Sequence, residues 1–158
     1  SACNLAALKS CFAAQQPIQW LPLVPENIVD APKPSAHRAI KAMAAIPMPF
    51  DLVLLGMGLD AHTASLFPGA SQLSAALALD GIASAAVITP VQLPAEAPFA
   101  RISLTASRLL HSEVILLAIS GAAKREVLDR ALLHDDEALP ISRFLHARDA
   151  NVEIYWSP

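Results

Sequence analysis

An acidic residue and a histidine stand two positions apart at Asp60 and His62, directly after a glycine-rich stretch. A neutral imidazole can take a proton from water near physiological pH, and a neighbouring carboxylate can orient the ring and stabilise the imidazolium. The pair therefore has the composition of a general base and its orienting acid. The structural alternative is that Asp60 caps a short helix and that His62 is an ordinary residue of its first turn.

Segment 56–69, which contains this pair, holds three of the five glycines of the chain, Gly56, Gly58 and Gly69. It follows the apolar run 50–55, which we expect to be a buried strand. Glycine occurs where a backbone turns sharply or approaches a ligand closely. In open α/β sheets, the ligand crevice lies beyond the carboxyl ends of the strands. We therefore expect Gly56 and Gly58 to line a crevice that also receives the acid and the histidine.

Two cations and one hydroxyl are further binding candidates. Lys124 falls in the first turn of the predicted helix 122–133, where a cation opposes the helix dipole by ~0.3–1 kcal/mol and a bound anion would remove the conflict. Arg101 opens a predicted strand, and its guanidinium suits bidentate contact with phosphate or carboxylate. The alternatives are that Lys124 is a solvated surface lysine and that Arg101 forms a surface salt bridge. Ser65 either caps a turn or lines the pocket.

Strands and helices alternate along the chain, which predicts parallel βαβ units in a three-layer α/β/α sandwich. Short, wholly apolar runs predict strands that are buried on both faces of the sheet. Residues 71–79 stay ambiguous. The predicted strands are 18–24, 50–55, 85–89, 101–104, 114–119 and 152–156; the predicted helices are 4–14, 35–45 with Ser35 as its cap, 106–110, 122–133 and a turn at 141–145; and the predicted loops include 25–34 and 91–99.

Composition excludes several classes of protein. The 158 residues are 54% hydrophobic with a net charge of −3, which argues against disorder and against a nucleic-acid partner. The longest apolar run, 114–119, is far shorter than the roughly 18 residues of a membrane-spanning helix. The histidines and cysteines have no metal-ligand spacing, so we expect no metal. Cys3 and Cys11 lie too far apart on one helix to pair, which favours reduced thiols and a cytoplasmic protein.

Residues 50–69, FDLVLLGMGLDAHTASLFPG, resemble the signature of 6-phosphogluconolactonases, a strand followed by G-x-G-x-D-G-H-x-x-S-L-F-P. The Ser-Leu-Phe-Pro at 65–68 separates this family from the related glucosamine-6-phosphate deaminases, which share the glycine-rich turn and the Asp-Gly-His. The segments RISLT at 101–105, GAAK at 121–124 and VEIYW at 152–156 resemble further family landmarks in the same order. The resemblance covers essentially the whole chain.

This resemblance implies a fold of the NagB type, a three-layer α/β/α sandwich with a mainly parallel, Rossmann-like sheet that lacks its first strands. Residues 1–158 would form a single domain, the C-terminal two-thirds of the family's chain. The family's N-terminal phosphate-binding turn and its acidic-Arg-Trp segment are not found in the sequence. Ala61 stands where the signature has glycine; a positive φ there would cost alanine about 1 kcal/mol and would be expected to shift His62.

The activity implied by the resemblance is hydrolysis of 6-phospho-D-glucono-1,5-lactone to 6-phosphogluconate, in the oxidative branch of the pentose phosphate pathway. The enzyme would be a carboxylic ester hydrolase without a cofactor or metal, with His62 and Asp60 as catalytic residues. The substrate- and phosphate-binding residues would be Lys124, Arg101, Gly56, Gly58 and Ser65. Two alternatives remain: a non-catalytic or inactive fragment of this fold, and an amino-sugar-phosphate isomerase/deaminase.

We expect a phosphorylated sugar lactone as the partner, and neither nucleic acid nor membrane. A full-length relative is expected to be a monomer. For this chain alone we expect marginal stability, a tendency to self-associate and weak activity, because one wall of the family's pocket is absent from the sequence.

Overall fold

The computed structural model describes residues 4–12, 18–24, 32–92 and 99–158. Within these ranges it contains one three-stranded and one two-stranded sheet, with helices packed against them. Cys3 and most of the predicted loops 25–34 and 91–99 lie outside the described residues. In chain order the elements are α1 (Asn4–Cys11), α2 (Pro32–Ala44), β1 (Val53–Leu55), α3 (Leu73–Leu77), β2 (Ala85–Ile88), β3 (Arg101–Leu104), α4 (Ala106–Leu110), β4 (Ile115–Ser120), α5 (Ala122–Ala131), α6 (Ser142–Leu145) and β5 (Val152–Ser157).

The larger sheet has the strand order β1-β4-β5, and both pairs are parallel. Val53 of β1 lies opposite Ile115 of β4, and Ile115 lies opposite Val152 of β5. Because parallel strands end at the same edge, the turn after β1 and the turn after β4 meet at one end of the sheet. The predicted parallel arrangement of these three strands is confirmed.

One face of this sheet carries the core. Along β1 and β4 buried and more exposed residues alternate, as on a strand with one buried face. Val53 and Leu55 are buried, whereas Leu54 between them is 66% exposed. The prediction of burial on both faces is therefore wrong for the described residues. Among the fully buried side chains of the core are Leu66, Leu117, Ile141 and Phe144.

The smaller sheet departs from the parallel βαβ units that the alternation of strands and helices predicts. Its strands β2 and β3 are antiparallel, with Ala85 opposite Leu104 and Ile88 opposite Arg101. A parallel pair needs a crossover, usually a helix. The connection between β2 and β3 contains Pro90, Pro94 and Pro98, which disfavour a helix.

The boundaries of α4 and β3 agree with the sequence prediction, and the segment that was ambiguous in sequence contains a helix at Leu73–Leu77.

Two predictions at the start of the described chain are wrong. Residues 18–24 form no strand, since they have no ladder partner among the described residues and Pro22 has no N–H to donate. The second helix begins at Pro32, so Ser35 lies inside it and is buried instead of capping it. Proline suits a helix start because N–H groups of the first turn have no intrahelical acceptor.

Helix α5 packs Val127, Leu128 and Ala131 into the core. The helix was predicted over 122–133, but it ends at Ala131, and Leu132 is exposed. No helix in the described ranges is long and apolar enough to cross a membrane.

A buried arginine ties α2 to the middle of the fold. The side chain of Arg108 is 4% exposed, and its Nη2 donates to the carbonyls of Met43 and Ile46 at 3.4 and 3.3 Å. Its guanidinium lies over the ring of Phe50, 4.3 Å from the centroid. The cation therefore adds a second donor to the carbonyl of Met43, which also accepts from the N–H of Ile46, and supplies a donor to the carbonyl of Ile46 just beyond α2.

We expect Arg108→Ala to lower the free energy of unfolding by about 2 kcal/mol, because it removes the donor to the carbonyl of Ile46, removes one of two donors to the carbonyl of Met43 and uncovers Phe50. Urea denaturation measures the change. The matched control is Arg130→Ala on the exposed side of α5, which should stay within about 0.5 kcal/mol. Equal midpoints for the two variants would contradict this role for Arg108.

Candidate active site

The loop after β1 is closed by its own backbone. The N–H of Gly58 donates to the carbonyl of His62 at 2.9 Å, and the N–H of Ala61 donates to the carbonyl of Gly58 at 3.1 Å. Thr63, which is fully buried, donates its hydroxyl to the carbonyl of Gly56 at 2.9 Å. The chain between strand end and histidine is therefore a tight, internally bonded turn.

Asp60 and His62 form a hydrogen-bonded pair within this turn. One carboxylate oxygen of Asp60 lies 2.6 Å from Nδ1 of His62 and 3.2 Å from the backbone nitrogen of His62. The backbone contact spans two residues and is an Asx turn. The capping interpretation of Asp60 is wrong, since the next described helix begins only at Leu73.

The pair fixes which nitrogen of the imidazole can act as a base. A carboxylate at 2.6 Å from Nδ1 requires a proton on Nδ1, so the lone pair of the neutral ring is on Nε2. Nε2 has no hydrogen-bond partner among the described residues. The side chain of His62 is 32% exposed, so this nitrogen is open to a substrate or water.

Gly58 is required sterically by the pair. A Cβ at this position would overlap Nδ1 and Cε1 of His62 and would lie 2.5 Å from Oδ1 of Asp60. A Cβ at Gly56 would have only the carbonyl oxygen of Ala118 near it, at 3.9 Å, an ordinary contact. The two glycines therefore have different roles in the turn.

Ala61 adopts the left-handed conformation, with φ of 63°. The cost to an alanine there is about 1–2 kcal/mol. Its methyl is fully buried in the core cluster, which stabilises the fold by about 0.8 kcal/mol and so offsets part of this cost. Its carbonyl accepts a hydrogen bond from the N–H of Ile141 at 3.1 Å. With alanine in this conformation, Nδ1 of His62 lies 2.6 Å from the carboxylate of Asp60.

A cavity of about 620 Å³ lies at the end of the parallel sheet and brings most of the predicted residues together. A second cavity of about 450 Å³ lies beside it, and Asp60 lines that one. The predicted residues that line the larger cavity are Gly56, Gly58, His62, Ser65 and Lys124.

Lys124 is the third residue of α5, whose N-cap is Gly121 with φ of 89°. The end of β5 holds this turn on both sides. Gly121 donates its N–H to the carbonyl of Ser157 at 2.9 Å and accepts from Nε1 of Trp156 at 3.1 Å. Lys124 is half-buried and has no ion pair or hydrogen bond with any described residue. It is thus a cation at a helix N-terminus, facing a cavity.

Arg101 is engaged elsewhere. Its Nη1 donates to the carbonyl of Phe99 at 2.7 Å, and its guanidinium lies 4.5 Å from the centroid of the Phe99 ring. It does not line either cavity, so the structure does not bring it together with Lys124. Sequence reasoning could not foresee the Phe99 contact, which depends on the course of the preceding loop.

Sequence reasoning also missed Ser103 as a cavity residue. Its hydroxyl accepts from the N–H of Ser65 at 3.2 Å and donates to the carbonyl of Leu104 at 2.9 Å, and it is buried in the cavity wall. Ser65 lines the cavity, as one of its two interpretations predicted. The one available signal was a serine between two apolar residues, Ile102 and Leu104, of a predicted strand. No group of three or more histidine, cysteine or acidic residues that could hold a metal is found in the described ranges.

Comparison with known proteins places the chain in a family. The family model described as glucosamine-6-phosphate isomerases/6-phosphogluconolactonase matches residues 3–156. The chain belongs to this family. The match confirms the family that the Gly-rich turn, the Asp–His pair and the following Ser-Leu-Phe-Pro indicate.

Its relatives include a 6-phosphogluconolactonase of Rhizobium meliloti (strain 1021), 40% identical over 116 residues. That match covers 73% of this chain and 48% of the relative. A 6-phosphogluconolactonase of Neisseria meningitidis (serogroup A) is 31% identical and is matched over 87% of this chain and 58% of its own length. The chain thus spans about half the length of the curated relatives it matches.

Solved structures confirm the fold. The crystal structure of a 6-phosphogluconolactonase from Shewanella baltica OS155 is 36% identical with a TM-score of 0.75, covering 84% of this chain and 55% of that one. A monomeric glucosamine-6-phosphate deaminase of the NagB superfamily has a TM-score of 0.60 at 23% identity, covers 81% of this chain and 54% of that one, and shares the fold. The predicted NagB-type α/β sandwich is therefore confirmed.

We expect Gly58→Ala to break the hydrogen bond between Asp60 and His62, because the new methyl would occupy the space of the imidazole edge. A crystal structure of the variant tests this directly through the Nδ1–Oδ1 distance. Gly56→Ala is the matched control, and there the pair should keep its 2.6 Å contact. If the Nδ1–Oδ1 distance is unchanged in Gly58→Ala, the turn accommodates the methyl group and the pair does not require glycine at position 58.

Proposed function

We propose that this chain carries the catalytic base and the phosphate contact of a 6-phosphogluconolactonase, which hydrolyses 6-phospho-D-glucono-1,5-lactone to 6-phosphogluconate in the oxidative branch of the pentose phosphate pathway. One observation supports this most strongly. The oriented imidazole of His62 and the ammonium of Lys124, which has no ion pair with a described residue, line the same cavity. The names of relatives that are 31–40% identical give the substrate class.

The chemistry follows from the orientation of the imidazole. Nε2 of His62 takes a proton from a water molecule, and the water oxygen attacks the ester carbonyl carbon of the lactone. Asp60 accepts the Nδ1–H and stabilises the imidazolium that forms. The tetrahedral intermediate then breaks its bond to the ring oxygen, which receives the proton from Nε2. The product is an open-chain acid, which loses its proton to solvent, and the step as written uses no cofactor.

The 6-phosphate takes no part in the bonds that form and break, so its binding energy can position the ring. Lys124 supplies a positive charge beside the N-terminus of α5, where the helix dipole also favours an anion. We retain Arg101 as a proposed second phosphate contact. For that role its guanidinium would leave the carbonyl of Phe99. Gly56, Gly58 and Ser65 are proposed to line the sugar site.

We further propose a cytoplasmic enzyme, since the charge of a phosphorylated sugar retains it on one side of a membrane. Residues 1–158 are proposed to act as one domain, with a monomer as the state of the whole protein. The amino-sugar alternative is disfavoured by the Ser-Leu-Phe-Pro at 65–68. Ammonia release from glucosamine 6-phosphate, measured beside lactone hydrolysis, separates the two activities.

His62→Asn should reduce lactone turnover by roughly 10²–10⁴-fold, the range for loss of a general base, with little change in melting temperature. Hydrolysis is measured at low buffer concentration and corrected for the spontaneous reaction. The control is His134→Asn, an exposed histidine whose Nε2 also lies near an aspartate, 3.8 Å from Asp136. Turnover of His62→Asn within threefold of the parent would remove His62 from the mechanism.

Lys124→Ala should raise KM for the phosphorylated lactone roughly tenfold or more, because a charge-assisted contact is lost. The unphosphorylated gluconolactone should be hydrolysed almost as before. Lys41→Ala, an exposed lysine of α2, serves as the control. If the Lys124 variant weakens both substrates equally, Lys124 does not recognise the phosphate.

A further inference from the structure

We infer that Phe67 is a positioning residue for His62: its ring stacks against the imidazole and holds the plane in which Nε2 faces the larger cavity. The ring centroids of Phe67 and His62 are 4.5 Å apart, with an angle of 33° between the planes. This inference rests on the proposed function, in which Nε2 of His62 is the base.

Asp60 alone does not fix the imidazole. A single hydrogen bond to Nδ1 selects the edge of the ring that faces the carboxylate, but the ring can still swing about the N–H···O axis. The χ2 torsion of histidine is broad and opposes such motion only weakly. A second contact on the face of the ring is needed to define the plane, and Phe67 supplies it. Asp60 therefore selects the tautomer, and Phe67 selects the tilt.

Phe67 is itself held firmly. It is the first residue of a turn closed by a hydrogen bond from the N–H of Ala70 to its carbonyl at 3.3 Å. Pro68 and Gly69 occupy the two central positions, and the φ of 73° at Gly69 is what the third residue of a type II turn requires. The ring of Phe67 packs against the core, and its neighbour Leu66 is fully buried.

The position of Phe67 separates orientation from substrate binding. Phe67 and Asp60 both line the smaller cavity and not the larger one, whereas His62 lines the larger one. Both residues therefore support the imidazole from the side away from the proposed substrate. A change at Phe67 should affect the catalytic step and leave substrate binding nearly intact.

The kinetic test compares Phe67→Leu with Phe67→Tyr. Leucine keeps an apolar side chain but removes the flat ring, and misplacing a catalytic group at this scale should lower kcat about tenfold with KM within about twofold. Tyrosine restores the flat ring and should restore kcat. Phe50→Leu is the matched control, since Phe50 also packs against the core but contacts Arg108 and not His62.

A readout independent of activity is the orientation of the His62 ring, measured as its χ2 angle in crystal structures of the variants. The parent chain, Phe50→Leu and Phe67→Tyr should share one χ2 angle, whereas Phe67→Leu should show a different angle or two alternative ones, with the contact from Nδ1 to Asp60 kept. The parental χ2 angle and unchanged kcat in Phe67→Leu would overturn the inference. A loss of kcat that tracks melting temperature equally in the Phe50 and Phe67 variants would also overturn it. If the chain proves inactive, the proposed function fails, and the ring orientation alone decides the role of Phe67.

Discussion

The space beside Gly58 is the constraint on which the candidate site depends. The edge of the His62 ring and the carboxylate of Asp60 occupy the volume that any side chain at position 58 would need. The backbone at Gly58 also closes the turn, with its N–H bonded to the carbonyl of His62 and its carbonyl bonded to the N–H of Ala61. One glycine thus makes room for the pair and ties the turn that presents it. The left-handed backbone at Ala61 is a cost of making the turn this tight, offset in part by burial of its methyl.

The parallel sheet brings this turn together with a second one, so that the site has the imidazole of His62 on one side and the ammonium of Lys124 on the other. His62 and Lys124 follow β1 and β4, which are hydrogen-bonded neighbours in the sheet. Residues far apart in sequence therefore meet at one edge without a long flexible loop between them. The end of β5 then fixes the turn before Lys124 through Ser157 and Trp156, so the lysine is presented by backbone contacts. Rigid elements hold both ends of the proposed substrate at a set distance, which is what positioning requires.

The features predictable from sequence are those that depend on local chemistry. Glycines directly after an apolar strand predicted the turn, and an acid two residues from a histidine predicted the pair. The lysine after Gly121 was predictable because a strand-to-helix turn has a characteristic composition. Features that depend on the three-dimensional course of the chain were not predictable. They are the antiparallel pairing of β3 with β2, the exposure of Leu54 and the stacking of Phe67 on His62. Arg101 shows the same limit, because its residue type suits phosphate while its position in the fold directs it to Phe99.

The placement of charge in the site is consistent with an anionic ligand. The ammonium of Lys124 and the N-terminus of α5 repel each other slightly when the cavity is empty, by ~0.3–1 kcal/mol for such a charge at a helix end. An anion bound between them would remove this repulsion and gain contact with both. The carboxylate of Asp60 would oppose that anion if it faced the same space. It lines the neighbouring cavity instead and contacts Nδ1 of His62, so its charge acts first on the imidazole. In the proposed mechanism the imidazole thus carries the effect of the carboxylate to Nε2, while the carboxylate itself does not line the cavity proposed for the phosphate.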